Sequence, residues 1–442
     1  MDLVKASLDK DGAAISRLLE TCASRYLALQ VGAGEVDLYP SALDRWLEAL
    51  RRSGAPFAYA AHHLCGDGEE SLQPLVDYQT GSVRDDFDFG PLVLIDLEAA
   101  RRALNRYPQL RSDGVAGWYG LRLALTLQGS PMRVAEPLYR VTPARRVFSE
   151  EEHFRYADPR NLAYQKEMEA VFTRYAQAAG FYLPPRTETV VFASGFACEA
   201  SVVIPVKNRA GTVIQAVRSA LEQDAPFAFN VIVVDNHSTD GTSAVLAELA
   251  RCESRLVHHI PAARDLEIGG CWNEALRHPR CGRFAVQLDS DDLYASSAAL
   301  KAVVDKFYET RAAAVVGSYR LVDLEGRAIP PGVIDHREWS DENGHNNALR
   351  INGFGAPRAF YTPAAREIGF LNVSYGEDYA MMLALTRRFR LARIFEPIYL
   401  CRRWEGNSDA APSIEKLNRF NFFKDGIRSA EIRARQGMNR GV

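Results

Sequence analysis

The stretch Arg283-Phe-Ala-Val-Gln-Leu-Asp289-Ser-Asp291-Asp292-Leu-Tyr294 joins a short apolar run to three carboxylates within four positions. The run predicts a buried strand, because it is short, contains no Gly or Pro and has polar residues at its ends. The carboxylates would then lie at the carboxyl end of the strand, where open α/β sheets bind ligands. Because crowded carboxylates repel one another, we expect a hard divalent cation, which prefers oxygen ligands and also binds phosphates. The alternative is a solvated acidic turn that caps the next helix through Asp292 and two serines, Ser296 and Ser297.

The composition is that of an ordinary globular protein, with 47% hydrophobic and 25% charged residues. The length of 442 residues predicts two to four domains, and the net charge of -3 argues against nucleic-acid binding over the whole molecule. The seven cysteines include no Cys-x-x-Cys pair, so neither a disulfide framework nor a zinc site is indicated. No apolar run approaches the roughly 18 residues of a membrane span, and the first residues contain no apolar signal-peptide core. We therefore expect a cytoplasmic protein.

An internal repeat relates residues 26–140 to residues 283–400. Tyr119 and the segment Leu123-Ala-Leu-Thr126 match Tyr379 and Leu383-Ala-Leu-Thr386 at a constant offset of 260. The other matches are Glu136-Pro-Leu-Tyr139 with Glu396-Pro-Ile-Tyr399, Asp88-Phe-Gly90 with Gly353-Phe-Gly355, Leu38-Tyr39 with Leu293-Tyr294, and Leu27-Ala-Leu-Gln30 with Phe284-Ala-Val-Gln287. The number of ungapped identities predicts a degenerate second copy of one domain.

The two copies differ in their acidic residues. Gly32-Ala-Gly34 replaces Asp289-Ser290-Asp291, and Gly117-Trp118 replaces Glu377-Asp378. A capping role would serve both copies equally, so the loss of these acids indicates that the second copy keeps them for chemistry. The first copy is predicted to lack a counterpart of residues 200–280. Half a sheet would expose an edge, so we expect it to pack against the rest of the chain or a partner.

Helical segments follow both copies. Residues 146–195 begin with the polar run Ser149 to His153 and the helix-entry signal Asp158-Pro159, and they end at Gly180 and the stiff pair Pro184-Pro185. Apolar stripes at helical spacing predict core packing in both segments. The stripes are Tyr164, Met168, Val171, Phe172 and Tyr175, and Leu417, Phe420, Phe423, Ile427 and Ala430. The predicted divisions are a degenerate half domain (1–145), a helical linker (146–195), a catalytic domain (196–412) and a helical tail (413–442).

From residue 200 onward, strands and helices alternate, which predicts a doubly wound, mostly parallel α/β sheet of the Rossmann-like kind. Ser201 to Pro205 and Val231 to Asp235 are buried strands, and Thr212 to Gln223 forms the helix between them. Leu256-Val257 starts a third strand, and residues 269–278 form a short helix before the fourth.

Four motifs in this part occur in an order that resembles family 2 glycosyltransferases of the GT-A fold. They are Val203-Ile-Pro205-Val-Lys-Asn208, Val233-Val-Asp235-Asn-His-Ser-Thr-Asp-Gly-Thr242, Gln287-Leu-Asp289-Ser-Asp291-Asp292 and Tyr375-Gly-Glu377-Asp378-Tyr379. The resemblance covers residues 200–410. It implies transfer of a sugar from a nucleoside diphosphate, by default UDP, to an acceptor hydroxyl with inversion. The acceptor would be a glycan or lipid-linked glycan in bacterial polysaccharide or glycoconjugate synthesis.

The nucleotide and metal roles follow from the resemblance. Asp235, at a strand end, would accept hydrogen bonds from the base or ribose, and the loop of Pro205 and Asn208 would border the nucleotide. Asn208 could equally cap the following helix. Asp289 and Ser290 would contact the ribose or the metal, and Asp291 would ligate Mn²⁺ or Mg²⁺, which neutralises the diphosphate leaving group.

Asp378 is the predicted general base, and the neighbouring Glu377 would orient the acceptor or the loop. Both acids would also favour a helix N-terminus, because the segment from Tyr379 to Phe389 is predicted to be helical. That preference explains their acidity but not their loss from the first copy.

Four further predictions concern cations and the acceptor. Arg264 lies before Gly269-Gly270, where flexible backbone could approach a phosphate. Many relatives carry a metal-binding His near Arg403-Trp404; this sequence has none there, and Arg403 or Asn407 would compensate. The polar stretch 330–350 predicts an acceptor region with Gly353 and Phe354 as its floor, to which Arg403 and Trp404 also contribute. Its two histidines, His336 and His345, are expected to be solvated.

Two other classes compete with a glycosyltransferase. A sugar-nucleotide pyrophosphorylase would need a Gly-rich, Arg-containing first loop, which is missing at Pro205 to Gly211. A non-catalytic glycan-binding or scaffold protein suits residues 1–145 but not residues 200–400, which keep every acid. The basic bias after Thr386 also allows peripheral membrane contact on the cytoplasmic face. The oligomeric state is not predicted.

Overall fold

The structure is a computed structural model that describes residues 3–7, 12–31, 34–66, 69–142, 161–185, 188–404, 406–407 and 413–441. The strands in these ranges are β1 (Leu3–Ser7), β2 (Tyr26–Gln30), β3 (Glu35–Leu38), β4 (Phe57–Gly66), β5 (Glu69–Gln73), β6 (Leu92–Asp96), β7 (Met132–Thr142), β8 (Ala200–Val206), β9 (Phe229–Asp235), β10 (Leu256–His259), β11 (Phe284–Gln287), β12 (Leu293–Tyr294), β13 (Ala314–Val322), β14 (Ala328–Ile334), β15 (Arg358–Tyr361) and β16 (Leu391–Arg402).

The helices of the described ranges are α1 (Gly12–Thr21), α2 (Ala42–Ser53), α3 (Leu97–Arg106), α4 (Gly117–Thr126), α5 (Leu162–Ala178), α6 (Val213–Leu221), α7 (Thr242–Cys252), α8 (Ile268–Arg277), α9 (Ala299–Thr310), α10 (Gly344–Asn347), α11 (Thr362–Ile368), α12 (Glu377–Thr386) and α13 (Ile414–Arg440), with a 3₁₀ turn at Pro108–Leu110. None of these helices is long and apolar enough to cross a membrane.

The C-terminal half is built on a sheet of order β10-β9-β8-β11-β15-β13-β16-β12, with β14 paired to β13. The first four strands are parallel, and the rest of the sheet is mixed. All seven residues of β9 are buried, as expected for a strand covered on both faces by helices. The predicted α/β fold is confirmed, with the doubly wound parallel part confined to β10 through β11. The parallel strands bring Val206, Asp235 and Gln287 to one edge of the sheet.

The N-terminal half contains a second sheet of order β1-β2-β6-β4-β7-β3, with β5 paired to β4. The order β8-β11-β15-β13-β16-β12 has the same succession of parallel and antiparallel pairings. A shared hydrogen bond joins equivalent residues: Tyr119 Oη donates to the Val83 carbonyl at 2.6 Å, and Tyr379 Oη donates to the Ala348 carbonyl at 2.7 Å. The N-terminal and C-terminal halves of the chain therefore share one strand order and one buried tyrosine hydrogen bond.

Two details of the repeat differ from the prediction. Strand β1 is parallel to β2 as β8 is to β11, so the first copy does contain a counterpart of the first catalytic strand. The Leu97 N–H donates to the Arg25 carbonyl, as the Thr362 N–H donates to the Arg283 carbonyl. The equivalent of Phe284 is thus Tyr26 rather than Leu27, a shift of one residue. Gly32 and Ala33 lie outside the described residues.

The helix that follows the first copy has the predicted core face, with Met168, Val171, Phe172 and Tyr175 buried. The signals from Ser149 to His153 and at Asp158-Pro159 lie outside the described residues. On α13 the predicted apolar face is wrong, because Phe423 and Ala430 are exposed. The buried residues of this helix are Lys424, Asp425, Arg428, Ser429, Glu431, Ile432 and Arg435. Paired charges replace an apolar stripe there, since the helix packs against polar backbone and side chains of both halves.

The contact between the halves predicts a stability effect at Gly81. A Cβ at this position would lie 2.1 Å from the Asp425 carbonyl oxygen and 2.4 Å from the Ser429 nitrogen. Because backbone atoms cannot yield as a side chain can, Gly81→Ala should cost roughly 1–3 kcal/mol of the free energy of unfolding. Scanning calorimetry should show a melting temperature several degrees below that of the wild type. The matched control is Gly66→Ala, where nothing lies within 4 Å of the added carbon; equal losses in both variants would contradict this.

Candidate active site

Three aspartates follow β11 at the ligand-binding edge of the sheet, and the first is held by two neighbours. The Asp289 N–H donates to Tyr399 Oη at 3.0 Å, and Gln287 Nε2 donates to Asp289 Oδ1 at 2.9 Å. Burial raises the pKa of the Asp289 carboxyl, and the Arg358 guanidinium opposes this rise. The side chain is only partly buried, so it remains available to a ligand at the sheet edge.

Asp292 has a structural role. It is buried, and its Oδ1 accepts the Arg402 N–H at 2.7 Å, which fixes the end of β16 against the acidic turn. Burial, together with Asp289 and Asp291, raises the pKa of Asp292 well above its usual range. The alternative prediction, in which the acidic turn caps the next helix, is wrong, because α9 begins after Ala298 without a side-chain cap.

Asp291 meets the segment after β16. Its Oδ2 accepts hydrogen bonds from Trp404 Nε1 and Asn407 Nδ2, both at 3.2 Å, and lies 3.9 Å from Arg209 Nε. Arg402 Nε donates to the Asp291 carbonyl. The predicted residues Asp291, Trp404 and Asn407 are therefore brought together, whereas the Arg403 N–H donates to the Val322 carbonyl of the neighbouring strand at 2.8 Å. Ser290 is buried behind this turn.

The second acidic motif begins α12, directly after Gly376, whose φ of 83° turns the chain into the helix. Asp378 Oδ2 lies 2.8 Å from Arg358 Nη1, and Arg358 Nη1 also donates to the Gly355 carbonyl at 2.8 Å. Burial alone would raise the pKa of Asp378, but Arg358 and Lys424 hold it below its usual range. Burial and the neighbouring Asp378 raise the pKa of Glu377 to about 8.

Sequence reasoning missed three cations near these acids: Arg209, Arg358 and Lys424. Arg358 opens β15, and its charge acts on Asp289 as well as on Asp378. No motif marks a single Arg at a strand start, so only its place beside β11 shows its importance. The strand registers agree with this, because Val93 takes the equivalent place in the N-terminal half.

Hydrogen bonds join the loops after β8 and β9, where the nucleotide is predicted to bind. Asp235 is fully buried; its Oδ1 accepts the Ser238 N–H at 3.0 Å, and its Oδ2 lies 3.1 Å from His258 Nε2. Burial opposes ionisation, but hydrogen bonds from Ser243 and Ser238 hold the pKa of Asp235 below its usual range. Asn208 has a φ of 56°, and its Oδ1 accepts the Thr239 N–H at 2.7 Å. Asn208 thus joins the loops after β8 and β9 and does not cap α6.

Pro205 lies in the β8 ladder opposite Val234, and Arg264 is exposed on the loop before α8. The expectation of a flexible phosphate approach at Gly269-Gly270 does not fit. A Cβ at Gly269 would lie 1.8 Å from the Leu371 carbonyl oxygen, and one at Gly270 would lie 2.4 Å from Asn372 Oδ1. These glycines permit close packing of α8 against the loop that leads to Glu377.

The stretch 330–350 contains more regular structure than the predicted loop, since it includes part of β14 and the short helix α10. Both histidines are buried, not solvated: His336 Nδ1 lies 2.8 Å from Glu338 Oε1, and His345 Nε2 lies 2.7 Å from the Leu183 carbonyl. The Phe354 ring is buried between Trp339 and Tyr379, and Gly353 is half-buried beside it. Phe354 packs against Tyr379 of α12 and so supports that helix.

An α/β sheet with carboxylates at the carboxyl edge of its parallel strands is typical of enzymes that bind nucleotides. Residues 201–362 match the family model of glycosyl transferase family 2. This match confirms the predicted glycosyltransferase family 2 domain for residues 201–362.

Similar proteins include the succinoglycan biosynthesis protein ExoO of Rhizobium meliloti, which is 30% identical over 131 residues. That alignment spans 30% of this chain and 36% of the relative. Among solved structures, S. aureus TarS 1-349 in complex with UDP-GlcNAc is 23% identical over 54% of this chain and 73% of that chain, with a TM-score of 0.42. The mannosyltransferase PcManGT from Pyrobaculum calidifontis, in complex with GDP-Man and Mn2+, is 16% identical over 60% of this chain and 82% of that chain, with a TM-score of 0.36.

The raised pKa of Asp292 predicts a pH-dependent effect on stability. A folded-state pKa above the unfolded value of about 3.9 means that stability is lost as the pH rises past that value, because only the unfolded chain releases the proton. Asp292→Asn removes this loss and keeps the acceptor for the Arg402 N–H. The melting temperature of the variant relative to that of the wild type should therefore rise between pH 5 and pH 8. A difference in melting temperature that stays constant with pH would show that Asp292 is not protonated in the folded protein.

Proposed function

We propose that residues 196–412 transfer a sugar from a nucleoside diphosphate donor, by expectation a UDP-sugar, to an acceptor hydroxyl with inversion. The observation that carries this proposal is that Arg358 connects the two acidic motifs. Its guanidinium pairs with Asp378, and its backbone N–H donates to Gln287, whose side chain donates to Asp289. Arg358 lies 2.8 Å from Asp378, and its charge also acts on Asp289. The carboxylates that would bind the sugar donor and the candidate general base thus lie at one edge of the sheet. A single displacement needs this arrangement.

The donor would bind along the ends of β8, β9 and β11. Pro205 and Asn208 shape the loop that borders the nucleotide, and Asp235 holds the facing turn in place. Asp289 would contact the ribose or the metal, with the buried Ser290 behind it for support, and the exposed Arg264 would reach the phosphates. Arg209 and Arg402, beside Asp291, add positive charge where the diphosphate would lie.

Asp291 and Asp289 would hold a divalent cation, Mn²⁺ or Mg²⁺, which would neutralise charge on the leaving diphosphate. Their donor atoms are all oxygens, which suits such ions. The described part of the chain contains no cluster of three or more His, Cys, Asp or Glu side chains suited to a metal. Two carboxylates are enough where substrate phosphates and water complete the coordination, so these residues fit the ion.

Asp378 would act as the general base. The low pKa of Asp378 keeps it ionised at neutral pH, so it can take the proton of the acceptor hydroxyl as that oxygen attacks the anomeric carbon. Glu377, with a pKa raised to about 8, would be protonated and would donate a hydrogen bond to the acceptor. A glycan or lipid-linked acceptor is supported by the name of the succinoglycan biosynthesis relative. Gly353, Arg403 and Trp404 remain the proposed acceptor-side residues, and the buried Phe354 would act only by supporting α12.

We also propose that residues 1–145 are a degenerate, non-catalytic copy. The shared strand order supports this, as do Gly117 and Trp118 in the places of Glu377 and Asp378. The linker 146–195 and the tail 413–442 would then be the equivalent trailing helices of two copies.

The first test measures nucleoside diphosphate release from a panel of sugar nucleotides with Mn²⁺ and with chelator. Asp291→Ala and Asp378→Asn should each lower turnover by about 10²–10⁴-fold, because one loses the metal ligand and the other the base. The matched control is Asp305→Asn, whose carboxylate lies on the exposed face of α9. Wild-type turnover that persists with chelator would refute the metal role, and full activity of Asp378→Asn would refute the base assignment.

The second test concerns Arg358. Since its charge holds the pKa of Asp378 down, Arg358→Met should raise that pKa, and the base should lose its charge at higher pH. The acid limb of the kcat/KM profile should therefore move to higher pH in this variant. Arg358→Lys, which keeps a positive charge, should restore most of the shift. An acid limb at the wild-type position in Arg358→Met would show that Asp378 does not control it.

A further inference from the structure

Asp425, on the buried face of α13, joins the two halves of the chain. Its carboxylate accepts hydrogen bonds from Ser82 Oγ at 2.9 Å and Arg84 Nε at 3.2 Å, both from the N-terminal half. Arg428 of its own helix donates to the same carboxylate at 2.9 Å. Asp425 and Arg428 are fully buried and Arg84 nearly so, and loss of Arg84 would leave Asp425 with Arg428 as its remaining cation among these partners.

The backbone of the N-terminal half also contacts this helix directly. The Gly81 N–H donates to Ser429 Oγ at 2.8 Å, and Gln79 Nε2 donates to the Phe422 carbonyl at 2.8 Å. The absence of a Cβ at Gly81 permits this approach. Residues 79–85, which we call the clamp loop, thus fix both the position and the rotation of α13.

Lys424 precedes Asp425 and lies beside the start of α12, where a Cβ at Gly376 would be 3.5 Å from Lys424 Cγ. Its Nζ donates to the Asn352 carbonyl at 2.7 Å and lies 4.4 Å from the centre of the Tyr375 ring and 5.4 Å from that of Tyr379. These two tyrosines flank Gly376, Glu377 and Asp378 in sequence. The position of the Lys424 ammonium therefore follows from the position of α13, which the clamp loop sets.

The contact between the halves has the geometry of a symmetric dimer interface. Arg350 Nη1 lies 2.9 Å from Asp85 Oδ2, and both side chains are buried. These two residues are equivalent, because Asp85 precedes Gly90 by as many positions as Arg350 precedes Gly355. In a two-fold dimer, a residue meets its own equivalent only near the symmetry axis. The chain therefore resembles a dimer fused into one polypeptide.

We propose that the N-terminal half is a positioning module for the active half: its clamp loop holds α13 so that Lys424 lies against the Glu377–Asp378 pair. This inference rests on the proposed function of that pair. In this scheme the N-terminal half, which lacks the acids, contributes the interface and no catalytic residues. Lys424 is a positioning residue in this scheme, since it acts through the two carboxyls and not on substrate.

The charges that face the pair come from each packed element. Arg358 of β15 and Lys424 of α13 are the cations, and Asp289 after β11 is the remaining acid nearby. On the α8 side, Glu267 accepts a hydrogen bond from Ser374. On α11, Arg366 donates to the Leu276 carbonyl, and Glu367 lies 3.9 Å from Arg388. Loss of the Lys424 charge therefore leaves Arg358 as the cation that acts on Asp378.

The test is a double-mutant cycle in the full chain with Arg84→Met, Lys424→Met and both together. Each single variant should lower kcat by about 3- to 30-fold, the usual range for coupling through packed elements, and leave the donor KM within twofold. The double variant should be no slower than the slower single variant, because both changes remove one effect. Both should move the acid limb of the kcat profile to higher pH. Arg45→Met, in an exposed ion pair with Glu136, is the matched control from the N-terminal half.

Independent, multiplying losses of kcat would overturn the proposal, as would a slower Arg84→Met enzyme with an unchanged pH profile. If Arg84→Met does not fold, Ser82→Ala removes a single hydrogen bond to Asp425 and takes its place. Hydrogen exchange gives a readout without turnover: Arg84→Met should speed exchange in residues 376–379, and unchanged exchange there would refute the clamp. A wild-type protein that transfers no sugar would refute the proposed function and leave this exchange result to decide the positioning role.

Discussion

The ion pair between Arg358 and Asp378 is the interaction on which the acidic edge depends. Asp289, Glu377 and Asp378 approach one another from two different elements, and like charges so close cannot all ionise without a counter-charge. Arg358 is fixed from three sides: its N–H donates to Gln287 Oε1 at 3.1 Å, its Nη1 donates to the Gly355 carbonyl, and its guanidinium meets Asp378. Because β15 lies antiparallel beside β11, it begins where β11 ends, and its first residue, Arg358, lies at the acidic edge.

The N-terminal half shows what the scaffold becomes without that requirement. Its sheet has the same strand order, yet the equivalent of Arg358 is Val93, which is fully buried. The acids at Gly117-Trp118 are missing as well, so cation and carboxylates are absent together. An unpaired Arg in that core would cost several kcal/mol, so an apolar residue suits this position where the carboxylates are absent. What both halves share is the topology, the paired tyrosine hydrogen bonds and the interface.

Local patterns in the sequence predicted the parts of the structure that local forces decide. The apolar run before Asp289 is a strand, the acids of Glu377 and Asp378 begin a helix, and Asp235 ends β9. Tertiary partners decided the rest. The buried face of α13 is charged because it meets the clamp loop, and no helical periodicity could show a partner more than 300 residues away. The glycines Gly269 and Gly270 are matched to a loop 100 residues later, and nothing near them in sequence indicates that loop.

The neighbouring carboxyls Glu377 and Asp378 differ in protonation because their surroundings differ. Arg358 and Lys424 both favour the ionised form of Asp378, which also lies in the first turn of α12, where the helix dipole favours an anion. Glu377 is buried, and its Oε2 has no hydrogen-bond partner among the described residues. Ionisation of both would place two negative charges in adjacent positions, so the less compensated one keeps its proton. That division leaves one group able to accept a proton and one able to donate a hydrogen bond. It follows from the position of two cations, Arg358 on β15 and Lys424 on α13, and α13 is hydrogen-bonded to the N-terminal half.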